Sequence, residues 1–284
     1  MKIINSDAII DAGFDIVFEN SGTFEISLKD ITETVVFSVL PNIKIDMFIN
    51  DYSLKNHIIF HVNQSSYVNL HLISNKKETN FEILGDVKND GVFNIYFADF
   101  SNENTNLKSN VILLGDNSNS EFKFSSIATK GIKKFYDVGF DHLGKKSNSN
   151  FEGYGVALQD GEIDAKGISH IEKNSIKSYA NQMVKVILFD KQSKAKASPV
   201  LKIDCDDIIA NHACAIGSLN EDHVFYLKSR GLSEEEARRL ITLGYLIPIE
   251  NYFDESRKMM IESYIKESFW YVWCRKNKTR FSYV

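Results

Sequence analysis

The densest run of chemically capable side chains is Lys202–Gly217, KIDCDDIIANHACAIG. It holds two of the three cysteines, one histidine and three carboxylates within eleven positions. If residues 210–215 are extended, His212 and Cys214 project from one side, about 6.7 Å apart by strand rise. A thiolate beside an imidazole is a donor pair for iron or a transient Fe–S species. The alternative is that Cys205 and Cys214 act as small buried hydrophobes while His212 caps a turn. Residue types alone leave both readings open.

The other histidines offer less. His57 and His61 stand four apart, which on a strand means one face and a separation of about 13 Å, too far for one ion; both read as part of a solvated face. His142, in FDHLG, and His170, in SHI, sit beside turn residues. Either could line a cleft, and the plain expectation is a hydrogen bond to a loop carbonyl. Neither G-x-x-x-x-G-K-[ST] nor G-x-G-x-x-G opens a helix, and C-x-x-C, H-E-x-x-H and G-x-S-x-G are all absent. A nucleotide hydrolase, a dinucleotide oxidoreductase, a preassembled zinc or Fe–S site and a serine hydrolase therefore lack their signatures.

These residues must be positioned by a chain of 284 residues, 43% hydrophobic and 25% charged. That is enough for one or two domains with a packed core. With 33 Lys and Arg against 38 Asp and Glu, the net charge of −5 provides no basic field for nucleic acid. Three cysteines do not make a disulfide framework. No run approaches the ~20 apolar residues of a membrane span, and MKIINSDAIIDAGFD has no signal-peptide core. The expected setting is the cytoplasm.

Before Gly217 the pattern has period two. In Tyr67–Ile73, Val68, Leu70 and Leu72 share one face, and Tyr67, Asn69 and His71 the other. Residues 81–84, 92–97, 110–114, 121–125 and 185–189 read the same way. Gly85-Asp86, Asn89-Asp-Gly91, Gly115–Ser118 and Asp160-Gly161 read as turns between them. Turn signals recur every ten to fifteen residues from about 50 to 215, without a strict repeat. A sandwich, a barrel or a β-solenoid would each do this, and the persistence favours the solenoid. After Gly217 the period becomes helical. Asn220 caps a first helix closed by Gly231, and Ser233–Glu236 is a capping box for a second, stopped by Gly244. A third is expected from Asp254 to about Trp273, with Met260, Tyr264, Phe269 and Trp273 as its apolar stripe. The division is thus a β domain over 1–217 and a helical domain over 218–284.

The run Ala197–Ile241, ASPVLKIDCDDIIANHACAIGSLNEDHVFYLKSRGLSEEEARRLI, resembles the carboxy-terminal signature of the SufB/SufD family of Fe–S cluster assembly proteins. The correspondence covers about 60 contiguous residues. It weakens back to about Gly153 and gives no residue-level match in the first ~100. The resemblance implies a mainly β fold, a right-handed parallel β-helix followed by a small α-helical domain. It also implies a non-enzymatic scaffold with no stably bound cofactor, handling transient iron or an Fe–S cluster at a subunit interface. The implied partners are a SufC-like ATPase and either a SufB-like paralogue or a second copy. His212 matches the histidine of the family's H-G-A-T motif, with Cys214 and Cys205 as accompanying candidate ligands. Phe225, Tyr226, Leu227, Arg230, Gly231, Glu234 and Arg238, with the adjacent Arg239, match the helical segment associated with ATPase docking. Without a partner, Phe225, Leu227, Leu240 and Leu243 would be read as helix core.

Departures from the family pattern are informative. Ala210 stands where SufD-type chains often carry cysteine, G-A-T becomes Ala213-Cys214-Ala215, and the glutamate that follows the histidine in SufB-type chains is absent. That favours a SufD-like over a SufB-like assignment. At 284 residues the chain is short for the family, so its amino-terminal helical region is expected to be missing. Two other readings are a SufB-like homodimer of a minimal system and a β-solenoid carbohydrate-active enzyme. The second would draw on Asp137, Asp141, Asp160, Glu162 and Asp164.

Overall fold

Alternating strands that bury one face can stack indefinitely if each coil repeats the pattern, and this chain does so. The computed structural model describes residues 2–4, 9–11, 15–74 and 78–278. The first strands are β1 (Lys2–Ile4), β2 (Ile9–Asp11), β3 (Ile16–Phe18), β4 (Gly22–Leu28), β5 (Thr34–Val39) and β6 (Lys44–Tyr52). Next come β7 (Asn56–Val62), β8 (Tyr67–Ser74), β9 (Thr79–Val87), β10 (Val92–Asp99), β11 (Thr105–Leu113) and β12 (Asn119–Thr129). The last are β13 (Lys133–His142), β14 (Asn148–Leu158), β15 (Glu162–Ile171), β16 (Tyr179–Leu188), β17 (Lys194–Ile203) and β18 (Ile209–Ser218). Odd-numbered strands form one nine-stranded sheet and even-numbered strands another, each strand pairing with the one two places on. Every such pairing is parallel, as in β8·β10 and β16·β18. The fold is therefore a β-solenoid, not a sandwich or a closed barrel.

Its repeat is invisible in the sequence because it drifts. Asn69 Nδ2 donates to Asp46 Oδ1 of the preceding coil, 23 residues back, whereas Asn181 Nδ2 donates to Asn150 Oδ1, 31 residues back. Inward residues stack in rows. Phe18, Phe37 and Phe60 follow one another on the odd-numbered sheet with centroids 6.0 and 5.0 Å apart, and Phe93 from the facing sheet packs 4.6 Å from Phe60. Asp90, Asn117 and Asp160 have φ of 56°, 58° and 65°, so three of the expected turns are turns. Gly85-Asp86 is not one; it lies inside β9. A Cβ at Gly85 would stand 2.8 Å from the Phe93 ring, so this glycine makes room for an aromatic in the core.

Polar groups also enter the core, and those around Lys134 and His142 are paired. Lys134 is buried in the solenoid interior, and its Nζ donates to Asp99 Oδ1 (2.8 Å), Ser101 Oγ (2.8 Å) and Thr105 Oγ1 (3.2 Å). The Tyr136 hydroxyl donates to Asp99 Oδ2 at 2.6 Å. Burial pulls the Lys134 pKa down, against the field of Asp99, and pushes that of Tyr136 well up. His142 does not bond a loop carbonyl. It is fully buried with Nδ1 2.7 Å from Ser147 Oγ and Nε2 2.8 Å from Ser149 Oγ. Burial holds its pKa down at about 4.

Three α-helices follow β18: α1 (Glu221–Ser229), α2 (Glu234–Leu246) and α3 (Glu255–Lys278). Asn220 accepts from the Asp222 amide, Ser233 and Glu236 form the full capping box, and Gly231 takes φ +96° after α1. Gly244 does not end α2. The helix continues to the buried Leu246 and passes into a 3₁₀ turn, Ile247–Tyr252, with Pro248 in its first turn. In α3 the buried side is Ile261 and Ile265, one turn apart, while Met260 is 43% exposed and Tyr264 packs only partly. The side chains of Phe269, Trp273 and Cys274 lie outside the described residues. Leu246, Ile249, Phe253, Ile261 and Ile265 pack on Phe48, Tyr96, Phe100, Ile127, Val156 and Leu158, on the outer side of the even-numbered sheet. These strands are thus covered on both sides. Among the described residues no helix is long and apolar enough to cross a membrane.

Two stability measurements check this interior. Asp99→Ala strands a buried ammonium and is expected to cost about 3–5 kcal/mol in urea unfolding, and Asp99→Leu with Lys134→Met is expected to recover most of it. The pKa of His142 is depressed from 6.5 to about 4 on folding. Stability is therefore full above pH 6.5 and falls as the pH drops toward 4, by about 3 kcal/mol from this one group. His142→Asn should flatten that part of the stability-against-pH curve, whatever its effect at neutral pH.

Candidate functional site

The solenoid ends on β17 and β18, and no described strand stacks beyond them. This end governs the fate of the sequence candidates. In β16 the inward residues are Ala180, Gln182, Val184 and Val186, all buried. Their register partners in β18 are Ala210, His212, Cys214 and Ile216. His212 and Cys214 therefore point along the solenoid interior from its last coil, and both are exposed because nothing is stacked above. Ile216 is 40% exposed for the same reason.

The opposite strand continues the pattern. Ala195, Ala197, Pro199, Leu201 and Ile203 of β17 stand over the buried positions Ile163, Ala165, Gly167, Ser169 and Ile171. Ile203 is 44% exposed, and the other four are only partly covered. Pro199 is tolerated because β17 is an edge strand with no further ladder to feed. An apolar core cross-section carrying one imidazole and one thiol thus meets solvent at this end. Beneath it, Gln182 Nε2 donates to Ser169 Oγ (2.9 Å) and to the Val200 carbonyl (3.1 Å), while its Oε1 is buried without a partner.

Cys205 is placed differently. It sits in the corner between β17 and β18, buried with Ile171 and Ala180. Ala180 pairs with Ala210, so Cys205 sits near the Ala210 end of β18, and Cys214 lies four residues beyond Ala210, about 13 Å by strand rise. The three candidates do not converge on one point. Among the described residues, the group whose ligand atoms lie within 4.8 Å of one another is His170, Glu172 and Asp204. Residue types gave no hint of this. No motif spacing signals it, because these residues come from coils of unequal length.

His57 and His61 lie on the outer side of β7, half-buried and exposed, His57 3.8 Å from Glu82 and His61 bonded to Asp86. His71 is 5% exposed, stacked on Phe48 at 4.4 Å and reached by Phe253 at 5.4 Å, because the helical segment covers it.

The helical candidates form a second surface. On α1, Phe225 is 73% and Tyr226 56% exposed, and the Arg230 guanidinium lies over the Tyr226 ring at 5.3 Å. Leu227 and Leu243 are partly buried as core readings require, but Phe225 and Leu240 (49%) face outward. Arg238 is half-buried and bonded to Glu221 (2.8 Å) and Glu234 (3.2 Å), so its charge is held within the hairpin. Glu234 also takes Lys228 at 3.0 Å, and these bonds, Lys228 first, hold its carboxyl below the usual range. Arg239 lines a shallow groove with Met259, Ser263, Lys266 and Glu267. The exposed set is therefore Phe225, Tyr226, Arg230 and Leu240, tied to the solenoid by Val224 and Ala237 packing near Leu219 and Ile187.

Residues 39–245 match the family model described as "SUF system FeS cluster assembly, SufBD core domain", which reaches well before the segment whose residues carry the resemblance. The chain is 29% identical over 187 residues to the iron–sulfur cluster assembly protein SufD of Bacillus subtilis, covering 66% of this chain and 40% of that one. It is 30% identical over 125 residues to SufB of the same organism, covering 43% and 27%. A SufBD family protein of Staphylococcus epidermidis is 25% identical over 139 residues, covering 49% and 30%. These alignments span less than half of each relative's length. With the stacked parallel coils, the helical tail and the matched core domain together, the chain belongs to the SufBD family of iron–sulfur cluster assembly proteins and is SufD-like within it.

Proposed function

We propose that this protein is a non-hydrolytic scaffold subunit in Fe–S cluster assembly, pairing through the open end of its solenoid and docking a SufC-type ATPase through α1 and α2. The observation that carries this is the last coil, whose inward residues are core residues left uncovered. Ala197, Pro199, Leu201, Cys214 and Ile216 would be buried if a second solenoid end abutted this one. Burying such apolar surface stabilises association by about 25 cal/mol per Å² before the cost of ordering. A SufB-like paralogue is the expected partner of a SufD-like chain.

At that joint His212 would offer a nitrogen to nascent iron, and Cys214 a thiol, with further ligands from the partner. The cluster is cargo here and leaves with its acceptor. Exposed Phe225, Tyr226 and Arg230 are the residue types that dominate association energetics when they enter a partner's pocket. Because α2 runs on into the segment packed over Phe48, Tyr96 and Val156, force applied to the hairpin would be transmitted to the solenoid wall. ATP-driven closure of the ATPase would then reshape the joint as a two-state change.

Arg230→Glu with Tyr226→Ala should lower affinity for the ATPase at least tenfold in calorimetry; an unchanged complex would remove the docking assignment. His212→Ala should lower the yield of reconstituted cluster, read by absorbance and iron content, while size-exclusion chromatography still shows the assembled complex. A normal yield would sink the assigned role of His212. A stoichiometric dimer of this chain alone, stable against the SufB-like protein, would favour self-pairing instead.

A further inference from the structure

On the outer side of the odd-numbered sheet, three successive coils bring four ligand-type side chains together near the end of the solenoid. His170 stacks on Asp141 in register, with its Nδ1 3.7 Å from Asp141 Oδ1 and 3.8 Å from Glu172 Oε1. Its Nε2 is 3.0 Å from Asp204 Oδ2. One ligand atom each from His170, Glu172 and Asp204 fits within 4.8 Å. Asp141 is further fixed by Asn110 Nδ2, which donates to its Oδ2 at 2.9 Å.

Three features separate this group from ordinary surface ion pairs. First, its charge is unbalanced: three carboxylates share one imidazole, and no Lys or Arg lies within ion-pair distance of them among the described residues. Lys202 follows His170 in the same row and makes no such pair. Second, the ligands are carried on a rigid frame. The Glu172 amide donates to the His142 carbonyl at 3.1 Å and the Asp204 amide to the Ile171 carbonyl at 2.9 Å, so each residue is fixed by the ladder between coils. Coils lie about 4.8 Å apart, a spacing that side chains from neighbouring coils span onto one ion with Zn–N or Zn–O bonds of about 2.0–2.2 Å. Third, the group is partly open, with His170 28% and Asp204 57% exposed, so an ion can enter and leave. Cys205 follows Asp204 but turns into the core, which leaves the donor set free of sulfur.

We propose that His170, Glu172 and Asp204, with Asp141 as a neighbouring carboxylate that orients the imidazole, form a binding site for one divalent first-row transition metal. One imidazole nitrogen with several carboxylate oxygens suits Mn²⁺, Fe²⁺, Co²⁺ or Zn²⁺ and disfavours soft ions such as Cu⁺. The site is distinct from His212, which sits on the other sheet and faces inward, and it does not depend on the role given to His212 above.

The test uses the full chain carrying His212→Ala and Cys214→Ser, stripped of metal and titrated with Co²⁺ and Zn²⁺ by absorbance and calorimetry. One equivalent should bind, with a Co²⁺ ligand-field band and no thiolate charge-transfer band. His170→Ala and Asp204→Asn should each weaken binding at least tenfold. Glu172→Gln, at an exposed side chain, gives the same reading if His170→Ala lowers the melting temperature. Absence of stoichiometric binding, binding unchanged by Asp204→Asn and Glu172→Gln, or a thiolate band would each overturn the assignment.

Discussion

Everything in this molecule follows from parallel strands stacked in register. A parallel ladder puts each residue directly over its counterpart on the coil below, so a choice made at one position is repeated along a row. Phenylalanines form a column, asparagines bond to asparagines, and a glycine is required wherever a neighbouring ring leans across its position, as at Gly85 under Phe93. The same rule makes polar groups tolerable inside. Lys134 is accepted because Asp99, Ser101 and Thr105 come from coils whose height is already fixed. Aliphatic and aromatic rows together fill the core, and the polar clusters cost less than they would in a less ordered one.

A ladder has no internal reason to stop, and its ends are where chemistry can be exposed. At β18 the inward positions that hold Gln182 and Val184 one coil earlier hold His212 and Cys214, with no further coil among the described residues to cover them. The substitution of ligand-type residues into a core row at its terminal member is what distinguishes this end. On the outside, Asp141 and His170 occupy one row and Asp204 enters from the next coil. Inner and outer faces of the last coils therefore present donors of different hardness, thiol and imidazole within, imidazole and carboxylates without.

The sequence was informative where structure is local. Caps at Asn220 and Ser233 and the positive-φ turns at Asp90, Asn117 and Asp160 depend on a few neighbouring residues and could be read directly. The switch from period two to helical period near Gly217 was equally plain. What depended on long-range stacking could not be read. Gly85-Asp86 carries turn composition yet lies mid-strand, because the deciding contact comes from Phe93 on β10 of the facing sheet. Ile261 and Ile265, not Met260, face the core, because the helix is oriented by the sheet beneath it. His170, Glu172 and Asp204 meet only when coils of unequal length are superposed, and no motif spacing encodes that.

The helices are placed by the outer rows of the same stack. A solenoid whose outer face were polar throughout would give a helical tail nowhere to bind, and the tail would swing freely. Here the outer rows of the even-numbered sheet change character along their length. Asp46, Asn69, Asn94, Glu121, Asn150 and Asn181 form one polar row, while Phe48, His71 and Tyr96 form an aromatic run two residues further along the same strands. The 3₁₀ turn and α3 settle on the aromatic run, with Tyr252 stacked on Tyr96 at 4.3 Å and the Arg257 guanidinium 3.7 Å above Phe48. The anchor therefore grips coils well before the last one. That leaves β17 and β18 uncovered at one side and the Phe225–Tyr226 surface uncovered at the other, and a partner on either surface would act on the same rigid stack.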